Sequence, residues 1–204
     1  MRQDPYIKKM LFPEEALLRE IDRQPRLSIG LACENPRIET RLALTPEGVS
    51  IVVEEGHTVL VERGAGLPMS YTDLQYSEAG AVIVDSKAEV FGADIVLKIT
   101  PPTLEELALM KNGKSIFSML QLSYLSAESI KLMMSKKLNA IAYELIKDSQ
   151  KAFPVVNTIA EIEGSTAIAV ASELMSNAAG GKGILLGGIA GISPTEILIL
   201  GAGL

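Results

Sequence analysis

The chain has 204 residues, of which 48% are hydrophobic and 22% charged, enough apolar material for a sizeable core and too much for wholesale disorder. A formal net charge of -6 excludes the broad basic surface that nucleic acid or an anionic membrane requires. One cysteine, Cys33, and one histidine, His57, supply neither an internal disulfide nor a metal cluster, so no metal is expected and a reducing cytoplasm is the expected setting.

Residues 1–10 carry charge without the apolar stretch of a signal peptide, and no run reaches the roughly 18 apolar residues of a spanning helix. Pro13 to Gln24 reads as an amphipathic helix, with Glu14 and Glu15 near its positive end and Leu17, Leu18 and Ile21 on one face. That makes residues 1–25 a helical extension. Leu27 to Ala32 reads as the first strand, and a polar loop from Cys33 to Arg41 follows it. Thr45 caps a helix that begins at Pro46. Thr58 to Glu62 is the second strand, closed by Gly64-Ala65-Gly66.

The alternation then repeats. Helical Thr72 to Ala79, Lys87 to Phe91, Leu104 to Met110 and Ala127 to Lys137 lead in turn to strands Ala81 to Val84, Asp94 to Ile99, Lys114 to Met119 and Asn139 to Tyr143. Short apolar strands separated by short helices predict a doubly wound, mostly parallel sheet, whose ligands sit beyond the carboxyl ends of the strands. A long helix is expected over Glu161 to Asn177. Gly180 to Gly191 fails as a phosphate loop, because Gly183 stands where Lys182 should be followed by Ser or Thr. It reads instead as a tight link. The apolar run from Thr195 to Leu200 enters Gly201-Ala202-Gly203, which resembles the opening of a dinucleotide-binding βαβ unit, although a tight turn alone would also explain both glycines. The third glycine, the helix that faces the pyrophosphate and the acidic residue for the ribose are not within the 204 residues, so NAD binding by this length of chain is not expected.

Two cations stand out by position. Arg41 lies in the loop after the first strand, and Lys98 ends an otherwise apolar strand. A guanidinium fork grips a carboxylate through two bonds, and a desolvated ammonium polarises a carbonyl oxygen, so the pair suits a 2-oxo acid. Read singly, Arg41 suits a surface loop better, and Lys98 divides between a cleft residue and a lysine reaching solvent along its stem. His57 follows a glycine turn and reads as structural or surface, and Glu144 as a solvated carboxylate.

Glu34 followed by Arg41-Leu42-Ala43-Leu44-Thr45-Pro46, then Gly56-His57-Thr58-Val59-Leu60-Val61-Glu62 and Gly64-Ala65-Gly66, resembles the opening of the alanine dehydrogenase and nicotinamide nucleotide transhydrogenase alpha-subunit family. The order continues through Ala93-Asp94-Ile95-Val96-Leu97-Lys98, Ala142-Tyr143-Glu144 and the glycine block at Gly180, and the glycine-rich end leans toward alanine dehydrogenase. The resemblance implies that Arg41 binds the carboxylate of pyruvate or alanine and that Lys98 meets the oxo or amino end. The family's presumed acid and base is a histidine within Phe-x-x-Leu-His-Leu. The matching run is Phe117-Ser118-Met119-Leu120-Gln121-Leu122, so Gln121 stands there, an amide that orients substrate or water but exchanges no proton near neutrality.

Taken together, the expectation is an α/β fold, a doubly wound, flavodoxin-like, mostly parallel sheet with a connecting helix and the first strand of a Rossmann domain. Residues 1–160 would form the substrate domain, 161–194 the connecting helix and glycine-rich link, and 195–204 the start of an NAD-binding domain. The implied activity is NAD-dependent oxidative deamination of L-alanine, with Lys98 and Gln121 at the chemistry, Arg41 and Lys98 on the substrate, and Gly201 and Gly203 toward the cofactor. The implied partners are pyruvate or L-alanine and further copies of the chain, with no nucleic acid and no membrane. A transhydrogenase alpha subunit, or a non-enzymatic binder of a small acid or a partner protein, are the other readings.

Overall fold

The computed structural model describes residues 25–187, 190–192 and 194–201. The expected helix from Pro13 to Gln24, and Gly203, lie outside those residues. Six strands, β1 (Ser28–Leu31), β2 (Thr58–Glu62), β3 (Val82–Val84), β4 (Ile95–Leu97), β5 (Ser115–Ser118) and β6 (Asn139–Ala142), form one parallel sheet in the order β3-β2-β1-β4-β5-β6. Between them run α1 (Pro46–Glu54), α2 (Asp73–Glu78), α3 (Lys87–Phe91), α4 (Leu104–Leu109) and α5 (Ala127–Ser135), and α6 (Pro154–Met175) follows β6.

Local chemistry starts the helices. Thr45 precedes Pro46 and accepts from the Gly48 N–H, while Thr72 with Gln75 and Thr103 with Glu106 form reciprocal capping boxes. Strand alternation then divides the apolar residues between two faces. Leu31, Val59 and Val61 pack with Val49 of α1 and Tyr76 of α2. On the other face Val96 and Ile116 pack with Val90 and Phe91 of α3, Leu107 of α4 and Met133 of α5. Each such side chain, fully buried, contributes about 1.5 to 3 kcal/mol, which is why a parallel sheet needs helices on both sides. Helix α3 sits so close to β1 that a Cβ on Gly30 would lie 2.3 Å from the Val90 carbonyl oxygen. Only glycine fits there.

The doubly wound α/β class stands, but the strand order is 3-2-1-4-5-6 rather than the 2-1-3-4-5 of a flavodoxin-like sheet. The chain builds outward from β1 to β3, then returns through α3 to lay β4 on the free side of β1. That return creates a topological switch point between β1 and β4, with their carboxyl ends side by side.

Two expectations change at the C-terminal end. The long helix begins at Pro154, not Glu161: proline at the first helical position is well placed, and the β-branched Val155 and Val156 had disguised the first turn. None of its residues is buried, and Ile162, Ile168, Val170 and Leu174 are exposed. The run Thr195 to Leu200, expected as a strand, joins no ladder; Leu198 and Leu200 are more than four-fifths exposed. An apolar run becomes a strand only where another strand takes its backbone groups, and none among the described residues does. Among the described residues no helix is long and apolar enough to cross a membrane.

Candidate functional site

The switch point holds a cleft of about 740 Å³, with Glu34, Glu39, Lys87, Lys98, Thr100 and Gln121 in its walls. Lys98 is the first residue past β4. The preceding strand faces both cores, and the Lys98 side chain ends only 4% exposed between two carboxylates. Its Nζ lies 3.0 Å from Glu34 Oε2 and 3.4 Å from Glu106 Oε1. A buried ammonium is costly alone, and two anions at this distance remove the cost. Of its three N–H groups one hydrogen-bonds Glu34, and Glu106 is an ion-pair partner only, which leaves N–H capacity for a ligand in the cleft that Lys98 lines.

Glu34, three residues past β1, is the clamp of the switch point. It accepts from the backbone N–H groups of Ile99 and Thr100 and from the Thr100 hydroxyl at 2.6 Å, tying the loop after β1 to the loop after β4. Glu106 comes from α4. Its Oε2 accepts from the Thr103 N–H at 2.9 Å, and its Oε1 also meets Lys87 Nζ at 3.1 Å. Burial pushes the Glu106 carboxyl up, but the Thr103 N–H, Lys98 and Lys87 together outweigh burial and hold it below the ordinary carboxylate range. Sequence reasoning missed Glu106 and Lys87. The signal was the Thr-x-x-Glu pattern at Thr103, which places a carboxylate in the first turn just after the Lys98 loop.

Arg41 is not in the cleft wall. Its guanidinium is held by Glu39, which is: Nε donates to Oε1 at 2.9 Å and Nη2 to Oε2 at 2.6 Å, with the Arg41 backbone N–H also on Oε1. The Arg41 hydrogen bond holds Glu39 below the usual carboxylate range, and the same bond raises Arg41. Among the described residues three guanidinium N–H groups have no hydrogen-bond partner, and Glu34 and Glu163 are close enough to add to the charge stabilisation of Arg41. The structure thus brings Lys98 and Gln121 onto one cleft and sets Arg41 at its margin, behind Glu39.

Gln121 lies beyond β5 with φ at +46°, a left-handed conformation that a side-chain-bearing residue adopts at a cost. Glu144 holds it there. One carboxylate oxygen accepts from the Gln121 N–H at 2.7 Å and the other from the Leu120 N–H at 3.2 Å. The expectation of a solvated Glu144 is therefore corrected: it braces the cleft loop from the turn after β6. Tyr143 beside it is raised to about 12, first by burial and second by Glu34. His57 is structural, as expected; its Nδ1 accepts from the Leu27 N–H at 3.3 Å. Cys33, half-buried, is pushed up to about 11, first by burial and next by Glu62, so it is an inert thiol at neutral pH.

Gly201 has φ at +88°, which suits a tight glycine turn.

A family model described as "Alanine dehydrogenase/PNT, N-terminal domain" matches residues 30–163. Among curated proteins, an alanine dehydrogenase of Staphylococcus saprophyticus is 37% identical over 175 residues, which cover 86% of this chain and 47% of the relative. Among solved structures, an L-alanine dehydrogenase aligns with a TM-score of 0.76 at 32% identity, covering 82% of this chain and 46% of that one. The transhydrogenase from Sinorhizobium meliloti aligns with a TM-score of 0.55 at 29% identity, covering 60% of this chain and 37% of that one. The chain spans about half the length of the curated relatives it matches.

Proposed function

Because the chain belongs to the alanine dehydrogenase/PNT N-terminal domain family, we propose that it is the substrate-binding part of an alanine dehydrogenase, an oxidoreductase that interconverts L-alanine with pyruvate and ammonia. The observation that carries the reading is Lys98, a buried ammonium that hydrogen-bonds Glu34, pairs with Glu106 and lines a cleft at the switch point with an N–H to spare. That N–H donates to the oxo oxygen of pyruvate, where negative charge grows as the carbon is reduced. Arg41, aimed by Glu39, gives its uncommitted N–H groups to the carboxylate. Gln121 offers an amide that orients substrate or water and carries no exchangeable charge.

NAD is the cofactor of this reading; when bound, it would supply the hydride chemistry at the substrate carbon. The fragment of 204 residues would hold substrate without turnover. A cytoplasmic homo-oligomer is the proposed working form.

A second reading has a specific observation in its favour. Gln121 cannot titrate, which suits the soluble part of a transhydrogenase that passes hydride between nucleotides, and the Sinorhizobium meliloti transhydrogenase is among the structural relatives. Titration calorimetry with pyruvate separates the two. Binding by the chain, weakened by about 1.5 to 3 kcal/mol in Arg41→Lys because the planar fork is lost, supports the dehydrogenase. No pyruvate binding, or equal affinity in both proteins, overturns it.

A further inference from the structure

Lys87 and Glu106 are charged groups of the cleft that the substrate contacts proposed above do not use. Lys87 stands in α3 with a side chain 41% exposed, Lys98 is buried, and a single carboxylate lies between them. We propose that Glu106 is a positioning residue for Lys98, sharing its Oε1 between the buried ammonium at 3.4 Å and the rim ammonium of Lys87 at 3.1 Å, so that the charge at the rim sets how firmly Lys98 is held. The proposal rests on the reading that Lys98 meets the substrate.

The geometry leaves Glu106 little freedom. Its Oε2 is fixed by the Thr103 N–H at 2.9 Å, and its side chain is 6% exposed, so Oε1 cannot turn to one lysine without leaving the other or breaking the cap. Glu34 does not share this arrangement, because its remaining partners are neutral: two backbone N–H groups and the Thr100 hydroxyl. The charged and titratable groups around Lys98 are Glu34 from the loop after β1, Cys33 in the same loop, Glu106 from α4, and Lys87 from α3 through Glu106. Glu34 in turn raises Arg41 and Tyr143. Of these, Lys87 is the cation that solvent or a ligand in the cleft can reach and that shares a carboxylate with Lys98. A carboxylate-bearing ligand that draws Lys87 away would thereby give Glu106 wholly to Lys98, strengthening its hold on the ammonium.

Acylation by acetic anhydride at fixed pH tests this, because only the uncharged amine reacts; modification of Lys98 is followed by peptide mass spectrometry. Glu106→Gln keeps the cap, since Gln serves in a capping box, and removes one of two anions within 4 Å, so Lys98 should react about tenfold faster. Lys87→Met frees Glu106 for Lys98 alone, and the rate should fall about threefold. Shifts of opposite sign are something a merely structural role does not produce. Equal Lys98 rates in all three proteins overturn the proposal, as does an increase in Glu106→Gln that is matched at every other lysine, which marks a loosened fold. If Glu106→Gln fails to fold, the surface variant Lys87→Met carries the test alone, and an unchanged or faster rate refutes it. Opposite shifts in a protein that binds no pyruvate would uphold the Lys87-Glu106-Lys98 coupling and overturn only the substrate reading.

Discussion

Lys98→Met isolates one ammonium, because the thioether follows the course of the lysine stem and leaves the charge out. Glu34 and Glu106, each with a side chain 6% exposed, then keep their places without the cation they share. Removing one partner of a buried ion pair costs about 3 to 5 kcal/mol when the other is left bare. Neither is left bare here. Glu34 keeps two backbone N–H groups and the Thr100 hydroxyl, and Glu106 keeps Lys87 and the Thr103 N–H. The expected loss at pH 7 is therefore smaller, about 2 to 3 kcal/mol. The pH dependence has a definite sign. Glu106 is depressed in the folded protein, so its contribution is present above its ordinary value of 4.5 and is lost as pH falls through the folded value. Taking Lys98 away removes part of that depression, so the variant has less to lose, and its deficit should hold from pH 7 to about 4.5 and narrow on further acidification. Urea unfolding at several pH values measures both effects. A deficit under about 0.5 kcal/mol at pH 7, or one that does not narrow as pH falls below about 4.5 as far as folding persists, would refute the account of Lys98 as the shared cation of two buried carboxylates.

Three further outcomes are expected. In a full-length protein, Gln121→His should raise alanine turnover and bring in a pH dependence near neutrality, read from rate profiles; high turnover with Gln121 and no change with histidine would place the base elsewhere. Gly30→Ala should lower stability by about 1 to 3 kcal/mol through overpacking against the Val90 carbonyl, and an unchanged thermal midpoint would contradict the close approach of α3 to β1. Asp94, held well below the usual carboxylate range chiefly by Lys114 and then by the Ser28 N–H and hydroxyl, contributes stability above about pH 4 that disappears on further acidification. Asp94→Asn should therefore melt earlier at pH 7 by a margin worth about 1 to 2 kcal/mol, allowing for its partial exposure, and the gap should close toward pH 2; melts that coincide at pH 7 would remove the pair from the list of stabilising contacts.

What the sequence determined by itself depends on neighbours a few residues apart. Alternation and apolar runs located all six strands, Thr45 located the start of α1, and an isolated cation at the end of an apolar strand marked Lys98. Only the tertiary structure decided what depends on residues far apart in the chain. Parallel strands are joined by crossovers, and nothing in the local pattern of β1 says that β4, more than 60 residues later, is its neighbour; that adjacency places Glu34 on Lys98. For the same reason sequence reasoning could not see that Glu144 braces Gln121 in a left-handed turn, or that the Glu106 carboxylate serves both Lys87 and Lys98; that Arg41 turns its fork to Glu39, two residues away, is a local pairing it passed over. The run Thr195 to Leu200 marks the opposite failure: its strand-like composition was plain, but a strand exists only with a partner, and composition carries no record of which partner is near.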